Sequence, residues 1–134
     1  MHKSPNPPVS VTIITLFVLF ITSWNAIRTY SAIANWLVLA EFKANPVYIF
    51  GTGLFWALAG LWLLRCIWKR VSYTFRACLA AAGLYYLWYW CDRLFVQSSP
   101  APNVLFSAVF SSVLLVIYIT ILSIPASRAY LNKE

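Results

Sequence analysis

The hydrophobic positions of this chain fall into unbroken runs rather than stripes. Val9–Ile27, Val47–Leu64 and Val104–Ile124 contain no Asp, Glu, Lys, Arg or His. About 20 apolar residues, rising about 1.5 Å each, span a hydrocarbon core of about 30 Å. Each run is close to that length, so each predicts a transmembrane helix. A fourth run, Ala77–Val96, is as long, but Asp92 and Arg93 shorten its charge-free part to Ala77–Cys91. Charges one turn from a helix end can snorkel to the headgroups, so this run is also expected to span. The strict alternation of a transmembrane barrel is missing. Lipid cannot satisfy exposed backbone groups, which leaves helices. The expected fold is an all-α integral membrane domain covering residues 1–134, an antiparallel bundle with spans at 9–27, 47–67, 77–96 and 104–125.

The polar connections add detail. In segment 28–45, Ile33, Trp36, Leu37 and Ala40 oppose a polar edge of Arg28, Ser31 and Asn35. That spacing predicts an amphipathic helix at the membrane interface, preferred over a continuation of the first span. Asn45-Pro46 ends it, because the residue before proline avoids the α region. Gln97–Asn103, with Pro100 and Pro102, is a short turn that makes the last two spans antiparallel neighbours. The three prolines of Ser4–Pro8 predict an extended tail. Lys3 and the small residues Ala32-Ile33-Ala34 resemble parts of a signal peptide. The apolar core Val9–Ile27, however, is longer than the roughly 7–15 residues usual for a cleavable signal. The first run is expected to be a retained anchor.

Composition agrees with a lipid-facing surface. The chain is 62% hydrophobic and only 10% charged, where soluble domains carry about 25% charged residues. The net charge of +7 reflects ten Lys and Arg against three acids. Arg65, Lys69, Arg70 and Arg76 lie between the second and third runs, and the positive-inside rule places that loop in the cytoplasm. Lys3, Arg128 and Lys133 then fall on the same side, so both termini are expected to be cytoplasmic. Nucleic-acid binding would need a basic water-facing surface, and none is expected. A plasma (bacterial inner) membrane is preferred to an organellar one.

The spans carry little chemistry. The only histidine is His2, in a tail, so neither a metal centre nor a haem is expected, and no cofactor is assigned. Cys66, Cys78 and Cys91 form no Cys-x-x-Cys motif. Ion-coupled transport needs an ionisable residue within a span. Small multidrug transporters, similar in size and helix count, depend on a glutamate in their first helix. Here Val11–Trp24 offers only Thr12, Thr15, Thr22 and Ser23. No catalytic residues are assigned.

Three features remain as candidate contact sites. Tyr85, Trp88, Tyr89 and Asp92 follow helical i, i+3, i+4, i+7 spacing and share a face. They predict an aromatic belt or a partner face, with a quinone, carotenoid or lipid-tail pocket between the second and third spans as the alternative. Asp92 and Arg93 are adjacent and point about 100° apart, so each is expected to face a different neighbour. Arg28 or Lys43 is a candidate for Asp92, and Glu41 for Arg93. Gly53, Ala57 and Gly60, and separately Ser107 and Ser111, predict close helix packing within the chain or on another. The reading that joins these features is a non-catalytic accessory or scaffold subunit contacting membrane lipids and other membrane subunits. The alternatives are a homo-oligomeric pore or carrier and a lipid- or quinone-binding membrane protein.

Overall fold

The structure is a computed structural model that describes residues 6–97 and 102–132. Every regular element among them is helical: α1 (Val9–Ala34), α2 (Trp36–Glu41), α3 (Pro46–Lys69), α4 (Thr74–Cys91) with a π-helical turn at Asp92–Val96, α5 (Val104–Ser123) and α6 (Pro125–Leu131). Three helices are long and apolar enough to cross a membrane: α1, α3 and α5, with mean hydropathies of 1.8, 1.8 and 2.5. Arg76 and the Tyr and Trp residues of Tyr85–Trp90 make α4 the least apolar of the long helices.

Several boundaries differ from those the sequence predicts. Helix α1 does not stop near Ile27 but continues to Ala34, so its 26 residues reach about 39 Å. Arg28–Ala34 therefore extends α1 instead of opening a separate interfacial helix. The break falls at Asn35, whose side-chain amide and backbone N–H both donate to the Ser31 carbonyl at 3.0 Å. Only the short helix α2 stands apart, with Leu37 and, just past it, Phe42 exposed.

Helix α3 begins at Pro46, where a missing N–H costs nothing, and Asn45 Oδ1 caps it by accepting from the Tyr48 N–H at 3.1 Å. It ends at Arg70 in the left-handed region (φ 52°, ψ 51°). Helix α4 starts at Thr74, ahead of the predicted start at Ala77, and Thr74 Oγ1 ties that start to the end of α3 by donating to the Val71 and Cys66 carbonyls at 2.6 and 3.2 Å. Helix α5 closes at Ser123 rather than 125. Ile124 precedes Pro125 and is extended (ψ 135°), as its proline neighbour requires. Pro125 then starts α6 in a segment where no further helix is predicted.

The tightest packing joins α1 to α3. A Cβ at Gly53 would lie 2.6 Å from Thr29 Oγ1 and 3.1 Å from the Asn25 carbonyl, and one at Gly60 would overlap Thr22 Oγ1. The stripe Gly53, Ala57, Gly60 thus lets two backbones meet, with Ala57 buried in the seam.

The apolar core lies at the end of the bundle where α1 begins. Val11, Ile14, Leu63, Cys78, Leu122 and Leu131 form it, drawn from α1, α3, α4, α5 and α6. Helix α6 closes this end. Its buried Ser127 hydroxyl bonds to Ser10 Oγ at 2.7 Å and to the Ile121 carbonyl at 2.9 Å. Arg70 donates to the Tyr130 hydroxyl at 2.9 Å and lies over its ring.

Candidate functional site

The opposite end of the bundle gathers the aromatic block of α4 with the charges that flank it. Tyr85 and Trp88 meet Trp56 of α3, and the three rings pack mutually with centroid distances of 4.9 to 5.7 Å. Edge-to-face and tilted geometries of this kind suit the ring quadrupoles. Arg28 of α1 places its guanidinium 5.1 Å from the centre of Trp88 and Nη2 3.7 Å from Asp92 Oδ1. Asp92 is buried, 7% exposed, so it needs both a cation and hydrogen-bond donors.

The π-helical turn helps to supply one donor. A π turn bonds each residue to the fifth beyond it rather than the fourth, which returns Gln97 directly above Asp92. The Gln97 backbone N–H donates to the Asp92 carbonyl at 3.1 Å, and Gln97 Nε2 donates to Asp92 Oδ2 at 3.2 Å. Arg93 turns the other way. Its Nη2 donates to the Pro102 carbonyl at 2.7 Å, and its Nη1 lies 3.5 Å from the Tyr89 hydroxyl. Asp92 and Arg93 thus serve different neighbours. Arg28 is the partner of Asp92, while Arg93 takes a backbone carbonyl and a tyrosine instead of Glu41.

Tyr85 and Tyr89 of the predicted face line the same cavity. Tyr85, Trp88 and Asp92 join one cluster with α1 and α3. Tyr89 leans on Trp90, with ring centroids 5.6 Å apart. Ser111 donates within its own helix to the Ala108 carbonyl at 3.3 Å, and Ser107 is half-buried. It is Ser112 that reaches α4, its hydroxyl 2.8 Å from that of Tyr86.

Asn25 is absent from the sequence-based candidates and central to the structure. It is fully buried in α1, and its amide donates to the Ile21 carbonyl at 2.8 Å and to the Tyr85 hydroxyl at 3.3 Å. Its Oδ1 has no hydrogen-bond partner among the described residues. A carboxamide within an apolar span is costly unless bonded, and that alone marks the position.

Between these two ends lies a cavity of about 450 Å³, bounded by α1, α3, α4 and α5 and open on one side. Its walls include Phe17, Leu63, Cys78, Leu115 and Tyr118, and its upper rim carries Tyr85, Tyr86 and Tyr89. The cavity exists because α4 and α5 touch the α1–α3 pair far more sparsely than α1 and α3 touch each other. All three cysteines are free thiols, and no three of His, Cys, Asp and Glu come together among the described residues.

Neither known families, characterised proteins nor solved structures give a match to this chain. The functional reading therefore rests on the geometry alone.

Proposed function

We propose that this protein is a four-span, non-catalytic subunit of a larger assembly in the plasma (bacterial inner) membrane, working through contact with other membrane chains. Helix α4 supplies the fourth span in this reading. It runs from Thr74, bonded to the Cys66 carbonyl near the end of α3, to Asp92, paired with Arg28 near the far end of α1. The basic residues between α3 and α4 support a cytoplasmic side for that loop and for both termini.

The observation that carries the proposal is the isolation of α5. Only 6% of its spanning window is buried within the chain, against 28% for α1 and α3. Leu105, Phe106, Val109 and Val113 all face outward. The interior polar groups, by contrast, are used to tie this chain to itself: Arg28 to Asp92, Asn25 to Tyr85, Tyr86 to Ser112. In this reading α5 turns one side inward, through Ser112, Tyr118 and Leu122, and offers its outward side to a partner.

The test is purification of the tagged full chain in mild detergent, with a photoreactive side chain at Val109 or Val113. A different membrane chain recovered in fixed ratio and crosslinked through α5 is the expected result. Recovery as a lone monomer would sink the proposal. A pure self-oligomer that passes small solutes in liposomes would replace it with a pore.

A further inference from the structure

The cavity between the helices has a size, a depth and a rim that together specify an occupant. Its 450 Å³ is room for on the order of fifteen water-sized groups at about 30 Å³ each, enough for one hydrocarbon chain and not for two. Along α4 it runs from Cys78 to Tyr89, a stretch of helix that rises about 16 Å. That is roughly half of a hydrocarbon core of about 30 Å, the depth of one leaflet. A helix from another protein is about 10 Å across and is too wide to enter.

The lining is more apolar than its composition suggests. The hydroxyls of Thr22 and Ser111 are already donated to backbone carbonyls of their own helices, Val18 at 2.7 Å and Ala108 at 3.3 Å. The deep wall keeps one hydroxyl, that of Tyr118 beside Cys78. The remaining polarity gathers at the rim, where Tyr85 and Tyr86 bond Asn25 and Ser112 and Tyr89 faces Arg93. The Arg93 guanidinium has no carboxylate within ion-pair distance among the described residues. Arg28 and Arg93 against Asp92 leave that end with an excess positive charge. An apolar slot one leaflet deep, ending in tyrosine hydroxyls and an uncompensated arginine, is complementary to a chain with an anionic head.

We propose that this cavity binds a single acyl chain bearing an anionic head, with the tail against Cys78, Leu115 and Tyr118 and the head at Tyr89 and Arg93. The open side admits it from the surrounding lipid. The site is independent of α5's outward face, so it stands whether or not the chain has protein partners.

Native mass spectrometry of the full chain, exchanged into micelles with palmitoyl phosphatidylglycerol or phosphatidylcholine, tests this directly. One adduct per chain is expected, retained in preference from phosphatidylglycerol. The adduct's mass separates a phospholipid from a free fatty acid carried through purification, and either one fits the site. Ala82→Phe fills the cavity from α4 and should abolish the adduct while the variant still melts cooperatively. If that variant does not fold, Ser111→Phe fills it from α5 and serves the same purpose. Arg93→Gln should keep an adduct but lose the preference for the anionic head. Equal adducts in the parent and cavity-filled chains would overturn the proposal, as would a parent chain that carries none.

Discussion

Asp92 sets the terms at the scale of single residues. It is a buried acid whose position depends on the cation of Arg28 and the amide of Gln97, with the Tyr48 hydroxyl beside it. Arg28→Met would leave the carboxylate without its cation and is expected to lower stability by about 1–3 kcal/mol, the cost of stranding a buried polar group. Because removing both members of such a pair costs less than removing one, Arg28→Met with Asp92→Leu should recover part of the loss. Thermal unfolding in detergent reads both, and an unchanged melting temperature for Arg28→Met would contradict the pairing. This contact is half legible in the sequence. Arg28 is one of two candidates for Asp92 there, because Arg28 and Lys43 share the same expected depth. The carbonyl of Pro102 as the partner of Arg93 is not legible, since a backbone acceptor carries no residue signature. Asn25 is inconspicuous because its neighbours are apolar, and its partner Tyr85 lies 60 positions away.

At the scale of elements, the α1–α3 seam is the rigid part of the molecule. Gly53 and Gly51 sit on the same helix in opposite circumstances. A Cβ at Gly53 would press on the Asn25 carbonyl at 3.1 Å and the Thr29 backbone nitrogen at 3.2 Å, whereas at Gly51 nothing lies within 4 Å. Gly53→Ala should destabilise by about 1–3 kcal/mol through overpacking. Gly51→Ala should be neutral or stabilising by up to about 1 kcal/mol, since alanine favours the helix. Equal effects of the two in a denaturation series would deny the close approach. The stripe itself is readable from small residues at helical spacing, but its partner is not, because Thr22 resembles an ordinary span residue and Thr29 lies past the expected end of the first span. Helix boundaries escape the sequence for local reasons. Asn35 rather than Ile27 ends α1, and Pro125 opens a helix as readily as it closes one. The π-helical turn at Asp92–Val96 has no sequence marker; the Gln97–Asp92 contact reveals its use.

For the whole molecule, the three long apolar runs are legible because length and hydropathy alone identify helices of that kind. Helix α4 is harder, since the aromatic residues that build its contacts also lower its hydropathy. The contact of Ser127 with Ser10 at 2.7 Å brings the start of α1 and α6 together. Tags at the two ends should therefore be reached by a membrane-impermeant reagent from one side only, the same side for both; labelling from opposite sides would contradict this bundle. The Ser127–Ser10 bond also joins positions far apart in the chain, and proteins are made in one direction. Helix α1 is complete long before α6 exists, so throughout synthesis Val11 and Ile14, buried in the finished core, await a cover. A ribosome that stalls after α5 would release a bundle with this end unplugged, and such a fragment would be open to local unfolding and to proteases. Helix α6, the last of the described helices to be made, thus acts as a plug that closes the α1 end of the core only once α1 to α5 are in place.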